Sequence, residues 1–205
     1  MRFSSHALNL ASIILTMCMI VSCDAQNNKE SNSPVQAKKP EIVRIENYKA
    51  TSIAAMAFRS LMDVENIDKY SSSSGSENYQ QPDEYYVINF QEKGLPHFIA
   101  HTLIDGKIIY MQKLFPKGEP IKPLLTENGA AKLAVDFVFN RLQSTKDQYK
   151  VTKIEQEKVS KGIDAYWMVT LDVNPEFNKN NKAPKSLLIK IHPKTQEVMV
   201  IEYHY

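Results

Sequence analysis

The chain has 205 residues, with 25 Lys and Arg against 23 Asp and Glu, and two cysteines. This near-neutral balance provides no long-range steering toward nucleic acid or anionic lipid, which argues against a nucleic-acid-binding protein. Both cysteines, Cys18 and Cys23, lie near the N-terminus, so the remaining sequence contains no disulfide, thiolate metal site or cysteine nucleophile.

The first 22 residues have the layout of a secretory signal, in which Arg2 precedes an apolar stretch from Ala7 to Val21. A membrane-spanning helix needs about 20 predominantly apolar residues, more than this stretch offers. An ordinary signal peptide cleaved after Ala25 would have a poor cleavage site, with Asp24 inside it. A retained anchor and ordinary secretion remain the two alternatives to the interpretation that follows.

The tetrad Ile20-Val21-Ser22-Cys23 at the end of this stretch resembles the lipobox of bacterial lipoproteins. The resemblance implies cleavage between Ser22 and Cys23, and diacylation of the Cys23 thiol with palmitate-like chains. Two acyl chains satisfy the requirement for stable anchoring to a bilayer. We therefore expect a lipid-anchored protein of the bacterial cell envelope, in the periplasm or at the surface, with the inner or outer membrane left open.

The segment after Cys23 reads DAQNNKESNSPVQAKKP and has almost no residue able to join a core. Residues 23–43 are therefore predicted to form the lipidated cysteine and a disordered tether, spanning on the order of 25 Å. The folded part is predicted to comprise an N-terminal α+β unit, residues 44–123, and a C-terminal α+β unit, residues 124–205.

The N-terminal unit is predicted to begin with a helix from Tyr48 to Tyr70, capped by Thr51 or Ser52. Its apolar stripe would comprise Ile53, Met56, Ala57, Leu61 and Val64. Ser71 to Asp83 is polar and aperiodic, which predicts a loop. From Glu84 to Phe115 the pattern predicts a strand and a hairpin with Asp105-Gly106 at its turn.

The C-terminal unit is predicted to begin with a helix from Glu127 to Gln143, with Thr126 as its N-cap. The buried stripe would comprise Ala130, Leu133, Ala134, Phe137, Val138 and Leu142. Three strand candidates follow: Tyr149 to Val159, Ala165 to Val173, and Ser186 to Tyr203, the last turned back on itself at residues 193–196. We expect an α+β fold with helices packed on an antiparallel sheet, as one domain or as two tandem helix-plus-meander units.

Four segments of residues 127–203 are similar to PepSY-type domains of bacterial envelope proteins: AAKLAVDFVFNRL, YKVTKIEQE, AYWMVTLDV and LLIKIHPKTQEVMVIEY. The family usually has an Asp before the last turn and a Gly within it, where this chain has His192-Pro193 and Gln196. The resemblance implies a small envelope module that binds other proteins, with peptidase inhibition as the family role, and it carries over no catalytic residue.

Residue patterns that would support catalysis or metal binding are weak. His97 and His101 have the spacing of a helical metal site, but the alternating pattern around them predicts a strand, on which they would lie about 13 Å apart. We therefore assign both to an exposed sheet face and predict no metal or other cofactor. No Gly-x-Ser-x-Gly motif is present, and no carboxylate pair is singled out, so we predict a protein that is not an enzyme.

The best candidates for binding a partner are the aromatic pairs Tyr85-Tyr86 and Tyr166-Trp167. Since side chains alternate along a strand, one residue of each pair must point away from the helices. Tyr and Trp are enriched at binding hot spots. The alternative is that these rings pack between the two units.

These observations together favour a membrane-anchored envelope lipoprotein acting as a non-catalytic protein-binding module, as an inhibitor or immunity factor. Its partners would be the bilayer, through acylated Cys23, and an envelope protein. A structural or assembly lipoprotein is the alternative, followed by a hydrolase whose site leaves no trace in the sequence.

Overall fold

The computed structural model describes residues 44–77, 84–145, 147–157, 165–179 and 183–205. The predicted signal segment, Cys23 and the tether lie outside these residues. The described chain has two α-helices, α1 (Asn47–Met62) and α2 (Glu127–Arg141). Its eight strands are β1 (Ser71–Glu77), β2 (Tyr85–Glu92), β3 (Leu95–Leu103), β4 (Ile108–Lys113), β5 (Tyr149–Gln156), β6 (Trp167–Val173), β7 (Ser186–Ile191) and β8 (Val198–His204).

The eight strands form one antiparallel sheet in the order β1-β2-β3-β4-β8-β7-β6-β5. Each helix is followed in the chain by a meander of four strands, and the two meanders meet where β4 pairs with β8. Buried residues of both helices and of both meanders belong to one hydrophobic core. The predicted α+β class, with helices packed on an antiparallel sheet, is confirmed.

A row of directly paired apolar residues crosses this sheet beneath the helices. Each of its members is fully buried: Ile88, Ala100, Met111, Ile201, Ile189 and Val169, taken from β2, β3, β4, β8, β7 and β6 in turn. Because side chains alternate between the two sides of a strand, this row defines the inner face of the sheet. The alternate residues define the outer face, on which neither of the described helices packs.

Helix α1 differs from the prediction at both ends. It begins at Asn47, and the hydroxyls of Thr51 and Ser52 donate to carbonyls four residues earlier, so neither residue is the N-cap. It ends at Met62 because Asp63 adopts the left-handed conformation, with φ of 54°. Local side-chain preferences at both ends gave way to the length that the sheet beneath accommodates.

The buried stripe of α1 is also rotated from the predicted one. Met56, predicted to be buried, is 57% exposed, while Phe58 is fully buried between Phe90 and Phe98 at centroid distances of 5.7 and 5.3 Å. The rest of the buried stripe is Ala50, Ala54 and Ala57, whose short side chains let the helix backbone approach the sheet, and Met62 at the C-terminal end of the helix. The aromatic contact with β2 and β3 therefore sets the rotation of α1.

Helix α2 agrees well with the prediction. It begins at Glu127, and the hydroxyl of Thr126 accepts a hydrogen bond from the Gly129 amide at 3.2 Å, as an N-cap does. The residues that it buries are four of those predicted: Ala130, Ala134, Phe137 and Val138.

Strand β1 corrects the predicted loop at Ser71 to Asp83. Residues Ser71–Glu77 pair with β2 along their whole length. All seven residues are exposed, so no apolar alternation marks the strand in the sequence. Backbone pairing with β2, rather than side-chain burial, holds this edge strand in place.

The predicted hairpin turn at Asp105-Gly106 is confirmed between β3 and β4. The Gly106 amide donates to the Leu103 carbonyl at 2.9 Å, and the Asp105 carboxylate accepts from the Lys107 amide at 3.0 Å. Gly106 has φ of +93°, and a Cβ at this position would lie 3.3 Å from the Ile53 side chain. The turn therefore favours glycine on both conformational and steric grounds.

We predict that Gly106→Ala lowers the free energy of unfolding by about 1–2 kcal/mol, since an L-residue in this conformation is strained. Gly75→Ala is the matched control, because Gly75 lies in β1 with no atom within 4 Å of an added Cβ. Its effect should stay within about 0.5 kcal/mol. Urea denaturation of both variants makes the comparison, and equal effects would contradict the role assigned to the turn.

Candidate functional site

Of the aromatic residues predicted to bind a partner, Tyr86 faces the helices. It is 3% exposed, and its hydroxyl donates to the Ile45 carbonyl at 2.7 Å and accepts from Arg44 Nε at 3.2 Å. Tyr86 thereby links β2 to Ile45, which lies two residues before the start of α1.

Trp167 has the corresponding position in the second half. Its indole Nε1 donates to the Leu125 carbonyl at 3.0 Å, again two residues before a helix, and its ring packs against the core. Tyr86 and Trp167 therefore have contacts within the fold. Alternation places the other two residues of the predicted partner-binding set, Tyr85 and Tyr166, on the outer face.

On the outer face, three rings stack side by side across neighbouring strands, and we call them the ring row: Tyr85, His101 and Tyr110. The ring centroids of Tyr85 and His101 are 5.1 Å apart with planes 29° from parallel, and those of His101 and Tyr110 are 4.9 Å apart. All three are half-buried. Tyr166 lies in the other half, with its ring 5.7 Å from that of His192.

Burial favours the neutral forms of His101 and Tyr110 in the ring row. Burial lowers the pKa of His101, and the carboxylates of Glu77 and Glu202 oppose this effect only in part. Burial likewise raises the pKa of Tyr110. Val87 and Ile99 lie beside the rings on the outer face, and Leu188 and Met168 lie farther across the sheet. The polar neighbours of the rings on this face are Glu77, Asn89, Gln112 and Glu202.

The two histidines of the predicted exposed face, His97 and His101, are half-buried and belong to separate clusters. His97 lies 5.2 Å from the ring of Tyr70 and 5.3 Å from that of Phe115. Within the described ranges, no group of three or more His, Cys, Asp or Glu residues is arranged to hold a metal ion. Neither of the described helices is long and apolar enough to cross a membrane.

A second candidate site lies on the helix side, where the C-terminal ends of α1 and α2 meet the β7–β8 turn. We call it the helix-end cleft, and its larger lobe has a volume of about 770 Å³. Leu61, Leu133 and Phe137 contribute apolar wall. At its rim, Arg141 of α2 forms an ion pair with Asp63, the C-cap of α1, at 2.5 Å.

The base of the cleft holds a buried ion pair between Lys113, at the end of β4, and Glu197. Lys113 Nζ donates to Glu197 Oε2 at 2.7 Å, and the Lys113 and Glu197 side chains are 8% and 19% exposed. The other carboxylate oxygen of Glu197 accepts from the backbone amides of Lys117 and Gly118 at 2.9 and 2.6 Å. Burial opposes the charge of Glu197, but these hydrogen bonds outweigh it and lower its pKa.

A smaller lobe, of about 370 Å³, adjoins the larger one. The two lobes share wall residues that include Met62, Asp63, Glu65, Lys113 and Lys117. The smaller lobe adds the rings of Tyr70, His97 and Phe115, of which Phe115 is 57% exposed. The two lobes are therefore adjacent: the three rings line only the smaller lobe, and Glu119, Asp136 and Glu197 line only the larger one.

Comparison with known proteins shows similarity at the level of the fold. No protein-family model and no curated protein sequence matches the chain. Among solved structures, the Bacillus megaterium YpeB C-terminal domain is similar, with a TM-score of 0.53 and 12% sequence identity. The similarity covers 78% of this chain and 63% of that chain, so this chain spans less than two thirds of that structure. The shared fold is consistent with the PepSY-type resemblance of the C-terminal half.

The helix-end cleft was not predicted from the sequence because its polar pairs are distant in the chain. Lys113 and Glu197 are 84 residues apart, and Asp63 and Arg141 are 78 residues apart. For the ring row a signal was available, since Tyr85, His101 and Tyr110 all alternate with buried neighbours along their strands.

We predict that Glu197→Ala lowers the free energy of unfolding by about 3 kcal/mol, because the buried Lys113 loses its counter-charge. The matched control is Glu155→Ala, which removes an exposed ion pair with Lys153 and should cost less than about 1 kcal/mol. Urea denaturation at neutral pH compares the two, and equal losses would contradict the importance of burial.

The same site predicts a pH dependence. Because the pKa of Glu197 is lower in the folded state than its ordinary value of 4.5, its stabilising contribution is fully present above pH 4.5. It is lost as the pH falls through the folded-state pKa. The stability difference between the wild type and Glu197→Gln should therefore shrink on acidification below that value. A difference that stays constant down to the lowest pH at which the protein folds would refute the assignment.

Proposed function

We propose that this protein is a membrane-anchored envelope lipoprotein whose folded body is a non-catalytic protein-binding module, with the outer face of the sheet as its binding surface. The ring row, with Val87 and Ile99 beside it on a face that no described helix covers, is the observation that carries the proposal. The lipobox-like tetrad ending at Cys23 supports the anchor.

The chemistry of the outer face favours a protein partner. An antiparallel sheet with one covered face usually carries polar side chains on the other. Here the outer face of β2, β3 and β4 combines Tyr85, His101 and Tyr110 with Val87 and Ile99. Contiguous apolar and aromatic surface of this kind is characteristic of interaction sites, and tyrosine is enriched at their hot spots.

An inhibitor or immunity factor is the form of this function that we favour. Such a module binds one envelope protein tightly, and the rigidity of an eight-stranded sheet keeps the cost of ordering its surface low. The corresponding hydrogen bonds of Tyr86 and Trp167 support a further part of the proposal, that the two halves are tandem PepSY-like units sharing one sheet. A structural or assembly lipoprotein is the alternative.

Chemical crosslinking of the native lipoprotein in cells, followed by purification, tests the proposed function. One partner recovered at one-to-one stoichiometry would support an inhibitor or immunity factor. Recovery within a larger multi-protein complex would favour the assembly lipoprotein instead. Failure to recover any specific partner, with the protein present in the membrane fraction, would refute the binding module.

We predict that Cys23→Ala moves the protein from the membrane fraction to the soluble fraction, because the acylated thiol is lost. Cys18→Ser is the matched control, since Cys18 lies within the apolar stretch that cleavage between Ser22 and Cys23 would remove. Cell fractionation provides the measurement, and membrane attachment that survives Cys23→Ala would contradict the anchor.

We predict that replacing Tyr85 and Tyr110 together with alanine weakens partner capture about tenfold or more, as expected for two hot-spot residues. Tyr48→Ala is the control, because Tyr48 is 63% exposed on α1 and lies away from the outer face. Circular dichroism of each variant separates loss of binding from loss of folding. Capture that depends on Tyr48 as strongly as on the ring row would place the binding surface elsewhere.

A further inference from the structure

We propose that the helix-end cleft is a second binding site, which accepts an extended polypeptide segment with a basic side chain in the larger lobe and an apolar or aromatic side chain in the smaller one. The cleft lies on the helix side of the sheet, so this inference goes beyond the function proposed for the outer face and does not depend on it.

The larger lobe has the electrostatic character of a cation site. Three carboxylates that line the lobe, those of Glu65, Glu119 and Asp136, form no ion pair with any described residue. Among the basic side chains that line the lobe, only Lys117 forms no ion pair with a described residue, since Lys113 and Arg141 are paired. The C-terminal ends of α1 and α2 both line the lobe. Each contributes the negative end of a helix dipole. The lobe therefore favours a positively charged group.

The paired basic side chains of the lobe do not neutralise this excess negative charge, so it is available to a ligand. Lys113 and Arg141 are already paired with Glu197 and Asp63, so neither neutralises the three carboxylates. Thr195 is 8% exposed and lines the lobe, and its hydroxyl has no hydrogen-bond partner among the described residues. An unsatisfied buried hydroxyl costs stability unless a ligand or water meets it. The wall of the lobe thus contains an unsatisfied polar group beside its excess negative charge.

The smaller lobe favours an apolar partner group. Tyr70, His97 and Phe115 surround it with rings, and Phe115 is unusually exposed for a phenylalanine. Aromatic side chains from a ligand gain both burial and ring contact in such a pocket. Lys69 lines only this lobe, whereas Glu119 and Asp136 line only the larger one, so a basic group is favoured in the larger lobe.

The adjacency of the two lobes favours a polypeptide. The lobes share Met62, Asp63 and Lys113 in their walls, so two side chains of one extended chain can each reach a lobe. Their volumes are each in the range of a site for a small molecule or a few side chains. A chain that carries a basic residue and an apolar residue close together matches both ends, whereas a simple amine would fill only one.

The proposal is tested by NMR on the full chain, isotope-labelled and held in detergent micelles. Capped tripeptides are added stepwise, and the backbone amide signals of the protein are recorded at each step. The probes are acetyl-Arg-Gly-Phe-amide, its Gln-Gly-Phe and Arg-Gly-Gly analogues, and butylguanidinium. The protein variants are Glu119→Gln with Asp136→Asn and, as the charge-matched control, Asp172→Asn with Glu176→Gln. Asp172 and Glu176 are exposed and lie outside the cleft.

We expect saturable shifts at Gly118 and Asn140, both of which line the larger lobe. Arg-Gly-Phe should bind at least about fivefold more tightly than either analogue or butylguanidinium, because each of these lacks a group that one lobe accepts. The cleft variant should lose at least about fivefold in affinity, the control variant should lose none, and added salt should weaken binding.

Several outcomes would overturn the proposal. These are the absence of saturable shifts up to about 10 mM peptide, equal binding of the Gln analogue, and shifts confined to the outer face around Val87. Butylguanidinium binding as tightly as Arg-Gly-Phe would exclude a polypeptide as the occupant. None of these results depends on whether the outer face captures a partner. This proposal can therefore fail while the proposed function holds, and the reverse is also true.

Discussion

The pairing of β4 with β8 is the interaction on which both surfaces of the protein depend. It aligns Met111 with Ile201, and it thereby joins two four-stranded meanders into one sheet. The inner apolar row is continuous across this junction, and so is the outer face, where Tyr110 faces Glu202. A shift of this pairing by one residue would move the side chains of one meander to the opposite face. Neither the inner apolar row nor the outer face would then continue across the junction. One short pairing therefore positions the core, the ring row and the helices above them.

The turn between β7 and β8 positions the helix-end cleft in a similar way. Its residues hold the segment that leads from β4 to α2: Glu197 accepts from Lys117 and Gly118, and the carbonyls of Lys194 and Pro193 accept from the amides of Ile121 and Leu125. Two residues of the turn, His192 and Gln196, differ from the PepSY-type pattern that the sequence resembles. His192 Nδ1 accepts from the amides of Lys194 and Thr195, as a carboxylate would, and Gln196 adopts φ of 59°, in the left-handed region that favours glycine.

The elements predicted correctly were those with a local signal. Helix α2 combines a capping hydroxyl with a regular apolar stripe, and the β3–β4 turn is marked by Asp105-Gly106. The signal was misleading where distant residues decide the structure. Phe58 rotates α1 through its contact with β2 and β3, and β1 is a strand because β2 pairs with it. The cleft had no signal at all, since Lys113 finds its partner 84 residues away.

The strand order has a consequence for how this chain reaches its native state. Of the seven pairings among the described strands, six join strands that are consecutive in sequence. Such local pairings close short loops and form early, whereas joining β4 to β8 must bring together segments on either side of α2 and three strands. Each meander can therefore gather around its own helix first. Until β4 and β8 pair, each half-sheet would present an unpaired edge strand, so the β4–β8 junction also removes two edges at which the chain could pair with other molecules.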